Sequence, residues 1–368
     1  MKTKRTIVRT YTCTRALLFL LSSFFFSSLG AQTSTDQYIP GATTEGAIYF
    51  LPKTAIRVAV RIEKTTYTPG EFSAYAERFL RLNNVGMEPS TSYRIISLTQ
   101  SAFGVRDTEK AYAIRFSNKT SAINVAQADD GVLLAINAEP APQEEPAVFK
   151  PARKRQTVNP RQFMNEEILA AGSVAKMAQL TAQEIYDIRD SRNQLVKGQA
   201  DFMPQDGDQM KLMLSQLDQQ DHSLTSLFAG TTVCDTTEEV FIITPDQELQ
   251  QQPLFRFSRH FGLVDADDMS GTPYYISIKN LTQLPPIDEE AAKKKKKAAN
   301  GLYYNVPGKL RSTIQSGNDI ISKEDFPAAQ FGNVELLSAE LFNKHYGTRL
   351  WMNPLTGGID KLEAEQPK

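Results

Sequence analysis

The chain has 368 residues, 41 % of them hydrophobic and 9 % aromatic, so it can bury a substantial core, and its length predicts two or three domains. A formal charge of −1 makes the chain a poor candidate for wholesale binding to nucleic acid or anionic lipid. No glycine-rich phosphate loop or dinucleotide fingerprint occurs, which leaves phosphoryl and hydride transfer unsupported.

The N-terminus carries Lys2, Lys4, Arg5, Arg9 and Arg15 with no acid among them, then the apolar run 16–26 and the small residues Ser27, Ser28, Gly30 and Ala31. This is the pattern of a cleavable secretory signal, and the run is shorter than the roughly 20 apolar residues of a membrane-spanning helix. Cleavage after Ala31 or Gly30 is expected, which takes away five cations and leaves a mature charge of −6. It also leaves Cys234 as the only cysteine, so stability must come from core burial and not from an internal disulfide.

Residues 32–138 read as an α+β domain. Ile56, Val58, Val60 and Ile62 alternate with Ala55, Arg57, Ala59 and Arg61, the mark of a strand with one apolar and one wet face. Thr68-Pro69-Gly70-Glu71 has the composition of a helix start and precedes Phe72, Ala76, Phe79 and Leu80. Further strands are expected at 93–98, 111–116 and 132–136. The segment 139–159 is rich in proline and charge and reads as a linker. From 160 to 230 the pattern is helical: one stripe runs through Val174, Met177, Ala178, Thr181, Ile185, Ile188 and Leu195, and a second through Met210, Met213, Leu214, Leu217, Leu224 and Leu227. With Gly198, Pro204 and Gly207 between them and Gly230 after, they predict an αα-hairpin with arms on the order of 35 Å long. Residues 231–368 read as β-rich, with strands at 240–243, 254–257, 274–278, 303–306, 334–337 and 350–352, and a turn at 353–358. The expected class is therefore α+β: two β-rich domains of mainly antiparallel sheet with a long αα-hairpin between them.

Candidate chemistry is sparse. His222, His260 and His345 lack metal-ligand spacing, and the acidic turn 265–271 has Met269 where a calcium ligand belongs, so no metal or cofactor is expected. Ser173-Val174-Ala175-Lys176 is a Ser-x-x-Lys sequence at a helix start, in which lysine could activate serine for acyl transfer to cell-wall or ester substrates. The companion Lys-Thr-Gly is missing, and a helix-capping role for Ser173 is favoured. The methionines of the helical region, Met203 at the turn among them, offer soft side chains suited to a repacking surface, although Met177, Met210 and Met213 also fit the seam between the arms. The lysine run 293–297 could attract lipid A phosphates, phospholipid or an acidic partner, or serve as a solvated loop. Tyr303 and Tyr304 are a candidate pair for stacking on sugar, which keeps carbohydrate or surface-layer binding as a further alternative.

Several stretches carry a resemblance: Glu166-Glu167-Ile168-Leu169, Ala171-Gly172-Ser173, Ala175-Lys176-Met177-Ala178 and Gln183-Glu184-Ile185-Tyr186-Asp187-Ile188-Arg189 in the helical region, with Tyr49-Phe50-Leu51-Pro52-Lys53-Thr54, Tyr75-Ala76-Glu77-Arg78-Phe79-Leu80, Ala329-Gln330-Phe331-Gly332 and Asn353-Pro354-Leu355-Thr356-Gly357 elsewhere. Together they resemble the domain of unknown function 4831 family, found in envelope proteins of Bacteroidota. The resemblance implies export to the periplasm or the inner face of the outer membrane, and brings no activity with it. The expectation is a non-enzymatic interaction or scaffold module with an envelope protein partner, no nucleic acid, and at most peripheral contact with membrane. Tyr186, Arg189, Arg192 and Met203 are the candidate interaction residues.

Overall fold

The computed structural model describes residues 34–39, 46–115, 124–142, 148–152, 158–204, 206–283, 301–342 and 347–365. The expected signal and the lysine run 293–297 lie outside these. In chain order come the strands β1 (Ser34–Gln37) and β2 (Ala47–Thr68), the short helix α1 (Ala76–Leu80), and the strands β3 (Ser90–Arg115), β4 (Val125–Gln127) and β5 (Leu133–Ile136). The helices α2 (Glu166–Leu169), α3 (Val174–Val196) and α4 (Gly207–Ala229) follow. The chain then returns to strands: β6 (Thr231–Ile243), β7 (Leu249–Ser258), β8 (Gly262–Val264), β9 (Thr272–Asn280), β10 (Gly301–Ser316), β11 (Asp319–Ser338), β12 (Gly347–Met352) and β13 (Ile359–Glu365).

The strands form three mostly antiparallel sheets. Sheet A has the order β1-β3-β2-β6, sheet B the order β13-β12-β5-β4, and sheet C the order β11-β10-β9-β7-β8. Strands from both sides of the segment 139–159 share two of these sheets, because β6 adds to β2 and β12 adds to β5. The two β-rich portions are thus interleaved by strand pairing.

The alternation around Ile56 does place Ile56, Val58, Val60 and Ile62 on one face, where they pack against Phe255, Ile276, Ile278, Leu310 and Ile314 of sheet C. The opposite face is only partly wet. Arg57 and Arg61 both bind Glu238 of β6, but Ala55 and Ala59 on the same face are buried, and Phe149 lies under the Arg61 guanidinium at 5.1 Å. Tyr49 and Leu51, earlier on the same strand, enter a second core with Ile114, Leu133, Ile136, Leu302, Leu350 and Met352. A third core joins α1, α2, α3 and α4 through Phe72, Ile168, Ala178, Ala182, Ile185, Leu224 and Phe228.

Two local expectations need correcting. Thr68 caps no helix; it remains in β2, paired with Thr231, and the helical turn begins later, at Ser73. The cause is tertiary: Gly70 lies so close to the Leu227 carbonyl that a Cβ would collide with it, and the Phe72 N–H donates to that same carbonyl at 2.7 Å. The strand expected at 93–98 and the described part of the one expected at 111–116 are one continuous strand, β3. The residues between them pair with β2 only as far as Arg106; Asp107 to Lys110 fall in the register shift between Phe50 and Pro52, so the segment carries no continuous apolar alternation.

Three of the stretches that carry the family resemblance meet at that shift. Gln330 accepts from the Thr54 N–H at 2.9 Å and donates to the carbonyls of Thr54 and Pro245, both at 2.9 Å. The fully buried Asn305 donates to the carbonyls of Pro52 at 3.0 Å and Thr356 at 2.8 Å. The 353–358 turn is tied by the Asn353 carboxamide, which accepts from the N–H groups of Leu355 and Thr356, both at 3.0 Å. Gly357 has φ +67° and packs on Pro52, and a Cβ on Gly104 would collide with the Pro354 carbonyl.

Gln330→Ala strips partners from one N–H and two carbonyls at this junction and should lower the unfolding free energy by about 3 kcal/mol. An unchanged midpoint in chemical denaturation would show that the bridge contributes nothing. A second expectation concerns the tyrosines of the second core. Tyr112 stacks on Tyr303 with centroids 4.5 Å apart, and the Tyr49 hydroxyl donates to the Tyr303 carbonyl and accepts from its N–H. Burial pushes the Tyr112 phenol up to about 12 and Tyr49 well above its ordinary value. A phenol held protonated only in the folded chain favours folding below its unfolded pKa, so this contribution should be lost as pH rises from about 10 through about 12. In an alkaline absorbance titration these rings should ionise after the exposed tyrosines; ionisation of every tyrosine in one step near pH 10 would contradict the assignment.

Candidate functional site

Among the described residues no group of three or more histidine, cysteine or acidic side chains could hold a metal ion, and no helix is long and apolar enough to cross a membrane. The 265–271 segment is a turn in which the Asp268 carboxylate accepts from the Ser270 N–H at 2.9 Å. Ser173 is the N-cap of α3: its hydroxyl accepts from the backbone N–H of Lys176 at 3.3 Å. Both Ser173 and Lys176 are exposed, and neither lines a described cavity.

The surface that stands out is the far end of α3 and α4. Each terminus there is fixed by local chemistry. Gly198, at φ +69°, closes α3, with its own N–H donating to the Leu195 carbonyl at 3.1 Å and that of Gln199 to the Gln194 carbonyl at 2.9 Å. Asp206 starts α4, its carboxylate accepting from the Gln209 N–H at 2.7 Å. Two ion pairs cross between the helices, Arg189 to Asp221 at 2.8 Å and Arg192 to Asp218 at 2.7 Å, and Arg189 also donates to the Thr225 hydroxyl at 3.2 Å. As one position rises along α3 its partner falls along α4, so the helices run in opposite directions.

The near end of this pair is embedded in the third core, whereas the far end is apolar and open. A cavity of 500 Å³ lies between Leu195 on α3, Ala200 and Phe202 in the connection, and Leu212, Met213 and Leu217 on α4, with Ser191, Gln194 and Gln216 at its rim. Phe202 is 65 % exposed and Leu212 60 %. Exposed apolar side chains clustered in this way mark an interaction surface more than isolated ones do.

The expected interaction residues divide. Arg189 and Arg192 are engaged in the ion pairs across the helices. Tyr186 is exposed, but its hydroxyl donates to the Phe79 carbonyl at 3.0 Å and ties α3 to α1. Met203 is exposed beside Phe202 without lining the cavity, and Met213 does line it. Phe202 and Leu212 were not among the expected residues. The available signal was Leu212, an apolar side chain two places after Met210 and one before Met213, off the stripe that builds the seam. Tyr303 and Tyr304 are half-buried, and both pack against the second core. A separate polar cavity of 490 Å³ opens on sheet B, between Asn124, Asn137, Arg349 and Glu363.

The motifs quoted above lie in two places: the junction of Pro52, Asn305 and Gln330, and the embedded base of the helices. No curated protein and no solved structure matches the chain. A family model described as "Domain of unknown function (DUF4831)" matches residues 45–360, from the start of β2 into β13, and the chain belongs to that family.

Proposed function

We propose that this is an exported, non-enzymatic interaction or scaffold module of the cell envelope, working in the periplasm, in which α3 and α4 form a docking hairpin whose open end meets an envelope protein partner. The observation that carries the reading is the exposure of Phe202 and Leu212 over an apolar cavity at the end of a helix pair whose other end is rigidly seated. A scaffold needs this combination: a recognition patch held by a core that does not rearrange when the patch is covered. Ser173 as an exposed helix cap supports the non-enzymatic side of the reading over acyl transfer, since nothing encloses a substrate around it. Export rests on the basic N-terminus and the short apolar run that follows it.

Two measurements test this. N-terminal sequencing of protein recovered from the periplasm should begin at Gln32 or Ala31; recovery of an intact Met1 from the cytoplasm would end the export reading. A photocrosslinking residue placed at Phe202 or Leu212 in the native envelope should join the protein to one reproducible neighbour. If those positions capture no more than an exposed sheet position such as Ile320, the docking reading is wrong.

A further inference from the structure

The groove at the open end of α3 and α4 has a chemistry that specifies its occupant, an inference that rests on the docking reading and goes on to name the partner's class. The floor is apolar: Leu195, Phe202, Leu212, Met213 and Leu217, with no charged side chain lining it. Its margins are acidic. Between positions 187 and 221 there are seven aspartates and four cationic side chains. Three of those cations are paired within the protein, Arg189 with Asp221, Arg192 with Asp218 and Lys211 with Asp208. Asp187, Asp190, Asp201 and the helix-capping Asp206 have no cationic partner among the described residues, leaving Lys197 as the remaining cation. The placement of these acids is specific. Asp187 and Asp190 lie one helical turn before Ser191 and Gln194, on the face that borders the groove, and Asp201 directly precedes Phe202.

We propose that the groove seats an amphipathic helix of a partner protein, with aliphatic or aromatic side chains at i, i+3 or i+4, and i+7 facing the cavity, and lysines or arginines on its flanks against the acidic margins. Two helices packed side by side leave between them a furrow into which the ridge of a third fits, at an interaxial distance of about 8–10 Å. Met213, unbranched and polarisable, can adjust to the side chain it meets. The same acids argue against the other occupants. A second copy docking groove to groove would bring two acidic margins together, and an anionic lipid surface would be repelled before an acyl chain could enter.

The test uses the full mature chain and a labelled model peptide, a leucine and lysine helix about five turns long with one apolar stripe. It should bind to the wild type. The affinity should fall about tenfold or more in Leu212→Asp, and again with Asp187→Asn and Asp190→Asn combined. It should weaken as ionic strength rises from about 0.05 M to about 0.5 M. A peptide of identical composition with the stripe scrambled, a leucine and glutamate version, and vesicles of anionic phospholipid should each fail to bind. Leu212 is exposed, so the variant should keep the wild-type circular dichroism and thermal midpoint. No binding by the wild type overturns the proposal; so does binding that survives Leu212→Asp, or equal binding of the glutamate peptide or the vesicles. Crosslinking at Phe202 judges docking separately. A captured neighbour whose attached segment is acidic or extended leaves docking standing and overturns the basic helix.

Discussion

The structure depends on one strand that serves two cores. β2 runs unbroken from Ala47 to Thr68 and is the strand to which β3 and β6 both pair. Side chains alternate along a strand, so a strand can bury one row against one layer; β2 instead gives Tyr49 and Leu51 to the core shared with sheet B and Ile56 through Ile62 to the core shared with sheet C. The change takes place at Pro52, where the pairing with β3 shifts register and the backbone offers carbonyls with no sheet partner. Asn305 and Gln330 donate to those carbonyls, and the Thr54 hydroxyl in turn donates to the Leu355 carbonyl of the 353–358 turn. Leaving such groups buried and unpaired would cost about 1–3 kcal/mol each, which explains why asparagine, glutamine and tightly turned glycine meet at this point.

What could be read from the sequence follows from how local each cause is. The alternation at Ile56 to Ile62 and the stripes of α3 and α4 arise from burial of a single face, and a window of about ten residues contains them. The cores of the second-half strands were legible for the same reason. Their full lengths were not, because β10 and β11 continue through polar residues such as Arg311, Ser312, Glu324 and Asp325, which are held by pairing and by ion pairs across the hairpin. β3 reads as two strands because its middle, from Thr99 to Arg106, is held by pairing with β2 and Asp107 to Lys110 fall in the register shift, so neither stretch has an apolar alternation of its own. The helix expected at Thr68 failed because Leu227, far along the chain, decides where that turn can start.

The candidate site shows the same division. Ser173 as a cap and the turn between the stripes are local facts. Arg189 and Arg192 looked like surface charges available to a partner until the opposite helix supplied Asp221 and Asp218, at positions a single helical wheel does not include. The groove itself depends on three segments converging. Phe202 in a turn and Leu212 off the stripe each pass as ordinary exposed apolar residues, and become a surface only when the two helices lie side by side.

The interleaving of the sheets also governs the order in which the chain can fold. β5 pairs with β12 through Ile136 and Leu350, Thr54 bonds the backbone of Ala329, and the Tyr49 hydroxyl engages Tyr303, so the early strands wait for residues made more than 200 positions later. Contacts of such separation carry a large loop-closure entropy and form slowly. A chain delivered N-terminus first would therefore expose the hairpin of β2 and β3, with the long edge of β2 unpaired, before β6 arrives to cover it. The helices between them are built from local contacts and can form early, so α3 and α4 would stand complete while the sheets on either side are still open.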